Sequence, residues 1–161
     1  MPKTRRASTG CPRRPVQGRE QAIEDLLFAY PYLLEPVFER LQRQVWLNPA
    51  SRLDLLFESA QELVVIEIKR GPCGTAEVRQ LERYLHSLAQ RGKPVRGILV
   101  GASITAVATR HCEESLFAIA FRQTGVDVPT RVVVCRECRR ARCASQTRCA
   151  RDGSRETLVL A

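Results

Sequence analysis

No apolar run in the sequence approaches the roughly 18 to 20 residues that cross a bilayer. The longest such stretches, Leu63 to Ile66 and Gly97 to Ala102, have strand length, and an integral membrane protein is not expected. The opening stretch is rich in Arg, Ser and Thr and holds no acid, but Pro2, Pro12 and Pro15 interrupt the amphipathic helix of a transit peptide, and no apolar h-region follows. A cytoplasmic location is the expectation. The cysteine count is seven, an odd number, and in a reducing compartment no disulfide framework is expected. Aromatic residues make up only 6%, with none among the arginines of either terminal stretch, so those stretches have no side chain for stacking on bases. Lysine is scarce, at three of 26 basic residues. There is no internal repeat.

What is present is one domain's worth of chain: 161 residues, 44% hydrophobic and 27% charged, enough for one sizeable core. The net charge of +9 is unevenly spread. Residues 1–19 carry six Lys/Arg and no acid, and residues 131–161 carry eight Arg against Glu137, Asp152 and Glu156. The stretch 20–130 is close to neutral, with 12 basic and 14 acidic residues. The basicity therefore lies in two flanks, a basic arm over 1–19 and an Arg/Cys-rich tail over 131–161. Such flanks add affinity for a polyanion by counterion release, and they also occur simply as solvated termini.

Between the flanks the periodicity predicts the order αβββαβαβ. Ile23, Leu26, Leu27 and Tyr30 fall at helical spacing from Glu20, and Pro31 stops that helix. Val45-Trp46-Leu47 reads as a short strand before the Asn48-Pro49 turn. Leu53 to Glu58 and Leu63 to Arg70 are strands at hairpin spacing. After the Gly71-Pro72-Cys73-Gly74 break, Val78, Leu81, Leu85 and Leu88 mark an amphipathic helix over Glu77 to Gln90, closed by Gly92. A strand over Val95 to Val100, a helix over Ile104 to Glu114 and a strand over Phe117 to Phe121 follow.

The hairpin carries the chemistry. In an antiparallel pair the numbers of facing residues add to a constant, and a loop centred between Ala60 and Gln61 makes that constant 121. Asp54 then faces Glu67, and Lys69 joins them two residues on. A two- or four-residue loop gives this register; a three-residue loop breaks it. Two carboxylates and an ammonium so placed suit Mg²⁺-assisted phosphodiester hydrolysis, and they equally suit an ordinary cross-strand ion pair on a solvated face. Gln80 and Tyr84, four apart, project together beside the apolar stripe of their helix.

Arg52-Leu53-Asp54, then Val64-Val65-Ile66-Glu67-Ile68-Lys69-Arg70, then Gln80-Leu81-Glu82-Arg83-Tyr84, then Val95-Arg96-Gly97-Ile98-Leu99-Val100 resemble the successive motifs of the PD-(D/E)xK nuclease superfamily. Within it, the similarity is to the C-terminal nuclease domain of the NucS/EndoMS endonucleases, over about Glu20 to Gly125. The resemblance implies an α/β fold of restriction-endonuclease type, an αβββαβ core with a central mixed sheet flanked by helices, in a nuclease domain over 20–130. It implies Mg²⁺- or Mn²⁺-dependent DNA cleavage in repair, recombination or defence, with Asp54 and Glu67 as metal ligands and Lys69 as the catalytic lysine. Gln80 supports the site, and Glu20 supplies a further acid, with Glu24 one turn on as its alternative. Arg52, Arg70 and Tyr84 are the expected DNA contacts, and a homodimer is compatible with the family.

Two features depart from it. Ser51-Arg52 stand where the family usually has glycine before the Asp, and the N-terminal domain that contributes dimerisation and DNA binding has no counterpart here, so mismatch specificity is not implied. A second reading is a binding protein on the nuclease fold without turnover, although such a protein has no physical need of the Asp54, Glu67 and Lys69 set.

Cys135, Cys138, Cys143 and Cys149 crowd into the tail, and four thiolates suit a tetrahedral Zn²⁺ site. RecB-like exonucleases with an iron-sulfur staple, which share Gln-x-x-x-Tyr, suggest a different use in which Cys11 joins three of the four. Free thiols are the third reading. His86 and His111 read as helix-surface residues.

Overall fold

Helix α1 (Gly18–Ala29) ends just before Pro31, which has no N–H to continue it and instead opens a single 3-10 turn over Pro31–Leu33. The computed structural model describes residues 18–130, 132–135, 138, 140–143 and 157–160. After the turn an irregular segment delivers Leu34, Phe38 and Leu41 to the interior, where Phe38 stacks on Phe57 at 4.4 Å between ring centroids. Strands β1 (Gln42–Asn48), β2 (Ser51–Glu58) and β3 (Leu63–Ile68) form an antiparallel meander. Strand β4 (Pro72–Cys73) leads into α2 (Thr75–Ala89), β5 (Val95–Gly101), β6 (Ser103–Ile104), α3 (Ala106–Glu114) and β7 (Ile119–Gln123).

The main sheet has the order β1-β2-β3-β5-β7, with β3, β5 and β7 parallel. Its mixed character follows from the connections: tight turns join the first three strands, whereas α2 and α3 carry the two parallel crossovers. Helix α1 covers one face through Leu27, packed with Leu55, Phe57, Val64, Ile66, Ile98 and Val100. Helices α2 and α3 cover the other, where Val78, Leu81, Leu85, Leu88 and Ala108 meet Leu56, Leu63, Val65 and Leu99. The seat of α2 depends on Gly97: a Cβ there would lie 2.8 Å from Leu81 Cδ2, so only glycine lets the helix come this close to β5. No described helix is long and apolar enough to cross a membrane.

The hairpin has the expected register. Leu55, Leu56, Phe57 and Glu58 pair with Ile66, Val65, Val64 and Leu63 around a four-residue loop, closed by the Ser59 N–H donating to the Glu62 carbonyl at 3.0 Å. Helix α2 starts at Thr75, not at Glu77, because Glu77 already serves as its N-terminal brace: its Oε2 accepts the Gly74 N–H at 2.8 Å. Helix α3 is capped by Thr105, which accepts the Ala108 N–H at 3.2 Å.

The residues assigned to a tail contain a second, three-stranded sheet in the order β10-β8-β9, from β8 (Val132–Cys135), β9 (Ala141–Cys143) and β10 (Thr157–Leu160). Val132, Val134 and Ala141 pack on Leu26, Tyr30 and Leu33 of α1 and its turn. The Tyr32 hydroxyl accepts the Ala141 N–H at 2.8 Å, and Arg140 lies over the Tyr32 ring. The three consecutive β-branched residues Val132 to Val134 carried the signal for this strand. In the β8–β9 ladder Cys143 faces Val132, three steps or about 10 Å along the strand from Cys135. Cys149, Cys11 and residues 1–17 of the basic arm lie outside the described residues.

Candidate active site

The paired part of β2 and β3 stops at Leu55 and Ile66, and Asp54 and Glu67 are the next residues on each strand. Beyond this point the Asp54 side chain replaces a ladder carbonyl, its Oδ2 accepting the Ile68 N–H at 2.8 Å. On the other side of Asp54, β1 and β2 share an irregular rung. Leu55 packs on the α1 side of the sheet and Leu53 on the α2 side, although they are two residues apart. Their partners on β1, Arg43 and Val45, divide in the same way: Arg43 reaches Glu24 of α1, and Val45 packs on the α2 side. Both strands therefore change face at the rung of Gln44 and Asp54, and Gln44 is the one non-glycine with positive φ (52°) among the described residues. Such irregularities re-aim a side chain, and here the residue re-aimed is Asp54.

Glu67 is 2% exposed. Its Oε1 is fully engaged: Lys69 Nζ donates to it at 2.7 Å and Gln80 Nε2 at 2.8 Å. Its Oε2 is buried with no hydrogen-bond partner. Lys69 Nζ also reaches Gln80 Oε1 at 3.2 Å, and Gln80 Nε2 donates to the Tyr84 hydroxyl at 2.8 Å, which donates in turn to the Arg52 carbonyl at 3.1 Å. Gln80 and Tyr84 thus act as a strut from α2 to β2, with the carboxylate and the ammonium held in its middle.

Burial, and next the charge of Asp54, push the Glu67 carboxyl up to about 7 despite Lys69. Asp54 is also raised, by burial above all, against the Ile68 N–H and Lys69 that favour its charge. Burial works against the Lys69 charge, but Glu67 outweighs it and holds the ammonium above its usual range.

The acids of α1 separate. Glu20 is exposed, and its Oε1 accepts the Arg70 N–H at 2.6 Å, tying the start of α1 to the end of β3. Glu24 is 5% exposed, its Oε1 occupied by Arg43 at 2.6 Å and Gln44 at 2.7 Å. Glu20 therefore stands at the mouth of the site and Glu24 behind it. Arg43 and Gln44 were not singled out in the sequence, and a positive φ at glutamine has no sequence signal. Arg52 is exposed beside Trp46. Tyr84 is corrected as a DNA contact: it is 7% exposed and its hydroxyl is spent inside the strut.

Among the described residues no three His, Cys, Asp or Glu side chains converge as a ready metal cage. Mg²⁺ does not require one, since it keeps several waters and takes one or two protein carboxylates. A buried carboxylate oxygen without a donor, next to a second raised carboxyl, fits such a cation at Glu67 and Asp54.

Residues 19–138 match the family model of the endonuclease NucS C-terminal domain. An endonuclease NucS of Thermococcus kodakarensis is 36% identical over 98 residues, covering 60% of this chain and 39% of that protein. A solved EndoMS–dsDNA complex superposes with a TM-score of 0.59 at 29% identity, over 72% of this chain and 49% of that one. A repair endonuclease from Pyrococcus abyssi gives 0.56 at 28%, over 71% and 49%. The chain thus spans two-fifths to one half of the length of these relatives. With the αβββαβ core, the Asp54, Glu67 and Lys69 constellation and the matching family model in agreement, this chain belongs to the NucS C-terminal domain family.

Proposed function

We propose that this protein is a metal-dependent DNA endonuclease that hydrolyses phosphodiester bonds, acting in DNA repair. The observation that carries the reading is the orphaned Glu67 Oε2, buried beside Asp54 while Lys69 and Gln80 saturate the other oxygen. Mg²⁺ or Mn²⁺ held by Asp54 and Glu67 would supply a Lewis acid that offsets charge on the phosphate oxygens.

The remaining steps belong to the chain's own groups. Lys69 has three ammonium hydrogens; Glu67 and Gln80 take two, which leaves the third for a phosphate oxygen or the attacking water. Its charge is held where negative charge grows in the transition state, by groups that need no rearrangement. Gln80 cannot turn its amide without losing Tyr84, so the strut fixes which Glu67 oxygen stays open. Glu20, at the mouth, adds a carboxylate close enough to influence Asp54, Glu67 and Lys69. DNA as substrate is supported by the names of the relatives: an endonuclease NucS, a repair endonuclease and an EndoMS bound to double-stranded DNA.

The test is cleavage of single-stranded, branched and mismatched DNA by protein stripped of metal, with and without added Mg²⁺ or Mn²⁺, beside Lys69→Ala. Metal-restored cutting that Lys69→Ala lacks is expected. Cutting that survives chelation, or that Lys69→Ala retains, rejects the proposal.

A further inference from the structure

Trp46 is the only tryptophan of the chain, and it is 60% exposed on β1, an edge strand of the main sheet. A single exposed apolar side chain is ordinary, and Val37, Val107, Leu116 and Val126 are more open still. The position of Trp46 is informative. Trp46 pairs with Arg52 across the β1–β2 ladder, and the Arg52 guanidinium lies over the indole at 5.3 Å from the ring centroid. Arg52 is two residues from Asp54, and its carbonyl is the anchor of the Tyr84–Gln80 strut. By register the Cα of Trp46 therefore lies one strand over and two residues along from that of Asp54, on the order of 8 Å. It is at the sheet end where Glu20 and the end of β3 also meet.

Val45 and Leu47, its neighbours on β1, pack inward on the α2 side, so Trp46 projects from the opposite face. Arg52 lies against the indole there and limits the ring's freedom, and much of the ring surface is left to solvent. A flat apolar surface beside a guanidinium suits a nucleotide, since the ring takes a base face while the cation attracts the adjoining phosphate. Within a duplex both faces of a base are already stacked, so the occupant has to be an unpaired or splayed base.

We propose that Trp46, backed by Arg52, is a stacking platform for one unpaired base of the substrate strand, flanking the phosphate that Asp54, Glu67 and Lys69 address. The inference rests on the nuclease reading above and adds to it a specificity-determining residue. Trp46 acts through position: the stacked base sets which phosphate enters the site.

Because Trp46 is the sole tryptophan, its fluorescence reports on that position alone. The experiment titrates the full chain, in chelator so that nothing is cut, with a fluorescein-labelled oligothymidylate, reading tryptophan emission and, in a parallel titration, oligonucleotide anisotropy. Saturable quenching that tracks the anisotropy is expected, with much less quenching by a fully paired duplex. Trp46→Ala should weaken single-strand binding about tenfold, within the range of one base–aromatic stack, and Trp46→Phe should restore most of it. Single-strand binding with unchanged emission, and equal affinity in Trp46→Ala, overturns the platform and leaves the nuclease reading intact. Neither binding nor metal-restored cleavage of any DNA overturns both.

Discussion

Lys69 Nζ and Gln80 Nε2 meet on the same oxygen of Glu67, at 2.7 and 2.8 Å, and the saturation of that one atom by two donors leaves the second oxygen without any. The asymmetry makes Glu67 a costly residue to bury, and under the proposed metal dependence it is the second oxygen that would take the cation.

The cost should be visible as pH-dependent stability. The Glu67 carboxyl is raised to about 7 in the folded chain from an ordinary 4.5, so between those values the folded state holds a proton that the unfolded state has lost. Stability from this group is full below about 4.5 and is lost as pH rises through about 7, by roughly 3 kcal/mol. Urea unfolding of chelated protein should show this decline, and Glu67→Gln should flatten it. Parallel curves for the two proteins between pH 5 and 8 would count against a buried, raised Glu67.

Chemistry and affinity should separate at Lys69 and Asp54. Lys69→Ala and Asp54→Asn are expected to lower the cleavage rate about a hundredfold or more, equivalent to ~3 kcal/mol at the transition state. DNA affinity should stay within a fewfold, because phosphate contacts spread over the surface supply most of it. Single-turnover rates and anisotropy on the same substrate measure the two quantities. Equal losses in both would mean that these side chains serve ground-state binding.

The strut predicts a graded series. Tyr84→Phe leaves the Arg52 carbonyl and one Gln80 hydrogen unpaired, costing about 1 to 2 kcal/mol of stability. Gln80→Ala takes a donor from the charged Glu67, which should push its pKa further up and move the acidic limb of the pH–rate profile to higher pH. The rate should fall about tenfold in Gln80→Ala at neutral pH and less in Tyr84→Phe. An unmoved acidic limb in Gln80→Ala would remove Gln80 from the site's electrostatics.

Val134 is 5% exposed in the second sheet, packed in one cluster with Leu26 of α1 and Tyr30 just after it. Val134→Ala should lower unfolding free energy by about 1 to 2 kcal/mol. Val134→Asp should cost more, since it buries a charge without a partner. Chemical denaturation measures both, and unchanged midpoints would show that the second sheet adds nothing to the stability of the rest.

The main sheet was legible for a physical reason: the hairpin register follows from loop length, and it brings Asp54 and Glu67 together as the next residues beyond the last paired rung. Leu55 facing Ile66 is the last rung of that arithmetic. The positive φ of Gln44 was not legible, because it belongs to a rung shared by two strands and leaves no trace in residue type. Tyr84 misled because a tyrosine beside an apolar stripe reads the same whether its hydroxyl faces water or the Arg52 carbonyl. The strands after residue 131 were hidden among the arginines around them, which dominate composition while Val132 and Val134 do the packing.

Leu26 and Leu27 are adjacent on α1 and serve different interiors, Leu27 the face of the main sheet and Leu26 the three-stranded sheet of the C-terminal segment. The helix that carries Glu20 and Glu24 is thus clasped from both sides. The smallest piece of this chain that could work as an autonomous unit is therefore set by what α1 requires, and a boundary drawn after the last strand of the main sheet would strip one side of the helix bare.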